Sequence, residues 1–213
     1  MNDYAMRRLL AAFASQGAPD LTGVVSITPA PSARQSQPST EELRKLSACP
    51  EVSLRFIILA CAEAGLRSGT AIRVRLCDVI DGRFVAETKK GAITNVPISQ
   101  DLSALLATLR PDVDTTRPIM ELLAGKEWKF PAREMQKRFA RWRKACGVRP
   151  SLTLHDLRRG LARRIYKATG DVRVVQALLS HRSLASTLWY LDSSNRGVTL
   201  AALSAAIDAP PTM

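Results

Sequence analysis

Residues 154–190 read LHDLRRGLARRIYKATGDVRVVQALLSHRSLASTLWY, and the rest of the chain is organised around them. His155 and His181, both inside this stretch, are the only 2 histidines of the 213 residues. His155 and Arg158 stand three apart, which puts them on one face of a helix. Leu157, Leu161 and Ile165 recur behind them at helical spacing and give that helix a stripe to bury. Gly170-Asp171 marks a stop and a restart. Val172, Val175 and Leu179 form a second, shorter apolar stripe that closes at Ser180-His181. Ser183 reads as the N-cap of a third helix carrying Tyr190. In an unbroken helix His181 and Tyr190 would lie about 13 Å apart at 1.5 Å per residue. A break near Ser183 lets the chain fold back, so that both can face one pocket.

These residues resemble the C-terminal half of the catalytic domain of the tyrosine recombinases, or phage-type integrases. That family carries His-x-x-Arg, then Leu-Gly-His, then a tyrosine nine residues after that histidine. His155-Asp156-Leu157-Arg158, Leu179-Ser180-His181 and Tyr190 fall in the same register, with Ser180 where glycine is usual. A lone His-x-x-Arg carries little information, but four positions in register that use both histidines carry a great deal. Upstream, Ala64-Gly65-Leu66-Arg67 resembles the family's first active-site arginine, with Thr70 where an acidic residue is common. The family's catalytic lysine sits in a β-hairpin, commonly eight residues before a proline. Counting back from Pro97 selects Lys89 and leaves Lys90 as a phosphate contact.

Composition agrees with a polyanionic partner. Lys and Arg total 31 against 19 Asp and Glu, a net charge of +12, and the pI is near 10.2. Double-stranded DNA is the first expectation and a membrane surface the second. No apolar run approaches the roughly 18 residues of a membrane span, and the N-terminus lacks the regions of a secretory signal. Cys49, Cys61, Cys77 and Cys146 are scattered without CxxC or Cys/His pairing. Cys61 and Cys77 read as small core residues in a reducing compartment, which fits a bacterial-type cytoplasm with the protein on the nucleoid.

Residues 1–39 read as an arm and linker. A short amphipathic helix over 4–14 is followed by a Pro/Ser-rich run with Pro29, Pro31 and Pro38. Residues 40–213 read as the catalytic domain. The separate DNA-clamping domain that family members usually place before it has no counterpart in this sequence. Ser39-Thr40-Glu41-Glu42 resembles a helix start, Leu54–Ala64 a buried helix, and Gly69–Arg75 a second helix. Val79–Ile98 reads as a small sheet, turning at Asp81-Gly82 and at Lys89-Lys90-Gly91. A helix over Leu102–Leu109 and a loop over Pro111–Pro118 follow. Lys126–Arg149 sets nine basic residues against two acidic ones. Met135, Phe139, Trp142 and Cys146 form its buried stripe, while Lys129, Arg133, Lys137, Arg141 and Lys144 fall elsewhere, as a DNA-backbone surface would require. Arg159 reads as a further backbone contact, and Tyr166 as an interface or core residue. A helix over 198–207 is long enough to be passed to a neighbouring copy.

The resemblance implies an α+β fold, mostly α-helical, with a small antiparallel sheet. It also implies site-specific cutting and rejoining of DNA through a 3′-phosphotyrosyl intermediate, as in recombination and integration of a mobile genetic element. Tyr190 would be the nucleophile, and Arg67 and Arg158 would clamp the nonbridging oxygens. Lys89 would protonate the leaving 5′ oxygen, His155 would relay the phenol proton, and His181 would donate to a phosphate oxygen. No cofactor, metal or ATP is expected. Self-assembly through the C-terminal helix, or a partner recombinase, would complete the complex. The alternative is a DNA-binding regulator or accessory protein of recombinase descent that does not recombine on its own.

Overall fold

The computed structural model describes residues 37–87, 91, 93–129, 131–181, 187 and 191. Helix α1 (Thr40–Ser47) starts at a capping box. The Ser39 hydroxyl accepts from the Glu42 amide at 3.1 Å, and the Glu42 carboxylate accepts from the Ser39 amide at 2.8 Å. Helix α2 (Val52–Ala62) is the apolar run expected from the sequence, and 9 of its 11 residues are buried. A helix apolar all round must lie inside, and α2 does, packed by α1 and by five elements introduced below. Cys61 on it is fully buried, and burial pushes its thiol up to about 12.

The segment expected as a helix over Gly69–Arg75 is shorter. Helix α3 (Ser68–Ala71) stops short of Val74, which stays buried in the core while its carbonyl accepts a hydrogen bond from the Ile119 amide at 2.9 Å, and Arg75 bridges to Pro118. A 3₁₀ turn over Leu76–Asp78 leads to strands β1 (Val79–Ile80), β2 (Arg83–Glu87) and β3 (Ile93–Pro97). They form one antiparallel sheet in the order β1-β2-β3. Asp81 and Gly82 both take positive φ, 48° and 69°, the two-residue hairpin turn that Asp-Gly favours. Phe84 and Ala86 of β2 pair with Val96 and Thr94 of β3, and this face turns into the core. Cys77, expected in the core, is exposed, because its turn lies at the sheet edge.

Helix α4 (Gln100–Leu106) is capped by Ser99, whose hydroxyl also donates to Glu63 at the end of α2. Helices α5 (Ile119–Ala124), α6 (Pro131–Ala145), α7 (Leu154–Thr169) and α8 (Val172–Leu178) complete the described fold. The contacts of α2 run to α3, α4, α5, α6 and α7. On α7, Thr153 and Asp156 form a second capping box, and Gly170 ends the helix in the left-handed region at φ 67°. That stop and the Asp171 cap of α8, whose carboxylate accepts from the Arg173 amide at 2.7 Å, are the break that Gly170-Asp171 predicts. Tyr166, expected at an interface or in the core, is 41% exposed, on the outer side of the last turns of α7. The N-terminal helix and linker before residue 37, Lys89, Lys90, Ser183, Tyr190 and the segment 198–207 lie outside the described residues.

After α8 comes the chain's departure from Leu-Gly-His. Ser180 adopts φ 48°, a left-handed conformation in which glycine is at ease and serine is not. Its hydroxyl lies 3.2 Å from that of Thr94, which is 3% exposed on β3. The strain costs about 1 kcal/mol, and the hydrogen bond returns about the same. Ser180→Gly should therefore be close to neutral in urea denaturation. Ser180→Ala keeps the strain and loses the hydrogen bond to Thr94, and should cost roughly 1 kcal/mol.

Candidate active site

Arg158 is among the largest fully buried side chains, 2% exposed, although helical spacing alone puts it beside an exposed histidine. One end of its guanidinium, Nη1, donates to the carbonyl of Gly65. The other, Nη2, donates to the carbonyl of Leu179 at 2.8 Å and faces His181 Nε2 at 3.2 Å. Gly65 sits in the left-handed turn that ends α2, at φ 64°. A Cβ there would meet Leu161 at 3.0 Å and Leu179 at 3.4 Å. No residue but glycine fits both the backbone and the space.

Each of these carbonyls stands two residues before a candidate site residue. Arg67 follows Gly65 and sits at the N-cap of α3, its side chain exposed and its carbonyl accepting from Thr70 and Ala71. His181 follows Leu179 and is 8% exposed. The His181 amide donates to the Gln176 carbonyl at 3.1 Å, and its carbonyl accepts from the Gln176 side chain at 3.0 Å. His155 lies in the first turn of α7, solvent-facing at its edge. Three segments, the turn after α2, the first turns of α7 and the end of α8, thus bring Arg67, His155, Arg158 and His181 together.

The charges confirm that proximity. Burial depresses the pKa of His181 to about 4, and the positive charges of Arg158, Arg67 and His155 add to the effect. The pKa of His155 is lowered as well, first by desolvation, then by Arg159 and Arg158, with a smaller push from Arg67. Solvent reaches part of the His155 ring, yet the protein around it still penalises its charged form. Both histidines are therefore neutral at neutral pH. Arg158 can only donate, so His181 Nε2 accepts, which leaves the ring proton on Nδ1. Nδ1 lies 3.1 Å from the Thr187 hydroxyl, and Thr187 is fully buried. Thr187 was not identified from the sequence. Six residues beyond a histidine is no spacing that helical periodicity would single out across a chain break.

Lys89 and Lys90 fall between the described ends of β2 and β3, so their side chains lie outside the described residues, as does Tyr190. What is described is the strand that leaves this hairpin, which Thr94 ties to Ser180, the residue before His181. Leu191, next to Tyr190, packs against Ala162, Val175 and Leu179 on α7 and α8. Among the described residues no group of His, Cys, Asp and Glu is arranged to hold a metal ion.

The cations of α6 divide by face. Arg133, Lys137, Arg141 and Lys144 are exposed along one stripe opposite Met135 and Phe139, with Lys129 exposed just before the helix. Arg141 comes within 3.8 Å of Glu134. Arg138 and Arg143 belong to the scaffold. Arg138 pairs with Glu51 at 2.6 Å and lies over the Trp128 ring at 4.4 Å, and Arg143 donates to the Leu152 carbonyl. Arg159 is half-buried and lies 3.7 Å from Asp156, beside His155.

The neutral state of His181 has a consequence for stability. An unfolded histidine takes up a proton near pH 6.5, while the folded one resists until about pH 4. The contribution is therefore complete above about pH 6.5 and is lost as pH falls toward 4, by roughly 3 kcal/mol. Urea midpoints measured from pH 7 to pH 4 should fall steeply, and His181→Gln should flatten much of that decline.

The sequence of the Phage integrase family matches this chain over residues 39–196. A protein of Sinorhizobium fredii designated integrase/recombinase y4qK is 30% identical over 178 residues, covering 78% of this chain and 56% of that protein. The tyrosine recombinase XerC of Yersinia pestis is 40% identical over 68 residues, 32% of this chain and 22% of XerC. The chain thus spans little more than half of the first relative. Its fold is similar to that of the XerA recombinase, with TM-score 0.64 and 20% identity, covering 92% of this chain and 70% of XerA. It is also similar to the catalytic domain of bacteriophage HP1 integrase, with TM-score 0.55 and 17% identity over 83% of this chain and 98% of that domain. The α-helical fold with its three-stranded sheet is that of a tyrosine recombinase catalytic domain, and the chain belongs to the phage integrase family.

Proposed function

We propose that this chain cuts and rejoins double-stranded DNA through a covalent 3′-phosphotyrosyl intermediate on Tyr190. The observation that supports this most is the Arg158 fork, which holds Arg67 and His181 near one another with His155 close by. The Tyr190 oxygen attacks the phosphorus, and the bond from phosphorus to the 5′ oxygen breaks. His155 accepts the phenol proton, a task its lowered pKa suits because the ring is neutral at working pH. Lys89 delivers a proton to the departing 5′ oxygen. Arg67 and Arg158 stabilise the charge on the nonbridging oxygens, an effect typically worth about 100- to 1000-fold in rate per donor. Attack by a free 5′ hydroxyl reverses these events and needs no energy donor, because the phosphotyrosyl bond conserves the free energy of the broken one.

Phosphate oxygens in such a site would enter where Arg158 Nη2 now faces His181. The exposed stripe of Arg133, Lys137, Arg141 and Lys144 would grip flanking phosphates, with Lys129, Lys90 and Arg159 as further contacts. Lambda integrase, whose fold is similar at TM-score 0.59 and 18% identity, has been solved as a tetramer bound to a Holliday junction. By analogy, copies of this chain would assemble on DNA through residues 198–208. One feature favours a second reading, an accessory DNA-binding protein without activity of its own: Thr70, 6% exposed, stands where the family commonly has a carboxylate.

A duplex nicked near its cleavage point separates the two readings. The protein should form a denaturant-resistant adduct with it in excess EDTA and without ATP. Tyr190→Phe should abolish the adduct and leave DNA affinity nearly unchanged. Absence of any adduct from the unmodified protein would favour the accessory role.

The α6 stripe predicts a salt dependence. Each phosphate neutralised contributes about 0.9 to the slope of log affinity against log salt. Replacing Lys137 and Arg141 together by alanine should therefore flatten that slope by up to about 2 units. An unchanged slope in fluorescence anisotropy would remove α6 from the DNA interface.

A further inference from the structure

The imidazole of His181 is held at both nitrogens, and the two partners differ in kind. Nε2 faces Arg158 Nη2 at 3.2 Å, and a guanidinium can only donate. Nδ1 lies 3.1 Å from the hydroxyl of Thr187, which can donate or accept. The ring is 8% exposed and Thr187 is fully buried, so bulk water cannot readily substitute for either partner. In the structure Nε2 must accept, Nδ1 carries the proton, and the threonine oxygen accepts it. A phosphate oxygen at the same place reverses the requirement, because it has no hydrogen to offer and Nε2 must then donate.

We infer that Thr187 is a positioning residue for His181, a hydroxyl rotor that accepts from Nδ1 in the free protein and donates to it when Nε2 turns donor to a phosphate. This rests on the recombinase reading for its purpose but not for its geometry. The proton count closes. Nε2 gains one proton from solvent, Nδ1 releases one to solvent, and the ring stays neutral in both forms. The threonine O–H swings about its C–O bond toward the vacated lone pair. A side chain limited to donating, or to accepting, would serve only one of the two states. An apolar one would leave a buried ring nitrogen unpaired in both.

With only 2 histidines in the chain, His181 can be followed directly. The full chain, labelled with ¹⁵N at histidine, is observed by long-range proton–nitrogen NMR at neutral pH. The free protein should show His181 as the Nδ1–H tautomer, and Nε2–H in the free protein would overturn the assignment. Inorganic phosphate, added until the histidine signals stop moving, should convert the ring to Nε2–H. A ring that stays Nδ1–H, or that becomes imidazolium, would overturn the rotor. Thr187→Val, nearly the same shape, should keep Nδ1–H in the free protein, where Arg158 requires it. It should resist the phosphate-driven conversion to Nε2–H, because no hydroxyl remains to donate to Nδ1. Thr187→Ser should convert as the unmodified protein does. Full conversion to Nε2–H by phosphate in the valine protein would overturn the rotor. Where the nicked duplex yields an adduct, the valine change should slow its formation by up to roughly 10-fold, the rate equivalent of one neutral hydrogen bond. DNA affinity should be unchanged, and serine should restore the rate. If the unmodified protein forms no adduct, the recombinase reading fails while the tautomer measurements still decide the role of Thr187.

Discussion

A buried guanidinium is an expensive thing to place in a protein interior, and the Arg158 group is tolerable because of what surrounds it. Its two carbonyl acceptors are Gly65, in the turn just beyond α2, and Leu179, the C-cap of α8. Helix C-termini are the ends where unsatisfied carbonyls concentrate partial negative charge. One cation thus satisfies two helix termini while the termini hold the cation, and the geometry of the site follows. Arg67 leaves one terminus and His181 the other, each two residues beyond the bonded carbonyl. The acidity of both histidines depends on the same group, since the charge of Arg158 helps to keep each of them neutral.

Around that contact the chain spends its many positive charges in two ways. Arg138 and Arg143 are consumed by the scaffold, one against Glu51 and the Trp128 ring and the other against a backbone carbonyl. On the same helix Arg133, Lys137, Arg141 and Lys144 face solvent. Net charge alone does not distinguish these roles. Helical position does, because residues on the side of Met135 and Phe139 are drawn inward by the core.

Much of this was legible from sequence because local rules agreed with the global fold. The apolar run of α2, the Asp81-Gly82 turn and the Gly170-Asp171 break each carry a signal whose cause lies within a few residues. The burial of Arg158 was not legible, since it depends on carbonyls from two distant helix ends. Residue type suggests a core position for Cys77, but tertiary packing leaves it outside. Gly69–Arg75 was read as a full helix because propensity cannot register the pull of the Ile119 amide on Val74. Ser180 is the instructive case. A departure from glycine looks like a defect in the sequence, and it becomes intelligible only once Thr94 is seen opposite its hydroxyl.

The reach of Arg158 along the chain bears on how the molecule folds. Its partners lie 93 residues before it and 21 residues after it. Neither carbonyl is in position until α2, α7 and α8 have docked, and until then the guanidinium is better left in water. Closing a loop of that length costs entropy before any contact repays it. The last desolvation of the core and the completion of the cluster around Arg158 should therefore be one kinetic event. A half-folded chain would carry the exposed cations of α6 with the cluster around Arg158 still unmade.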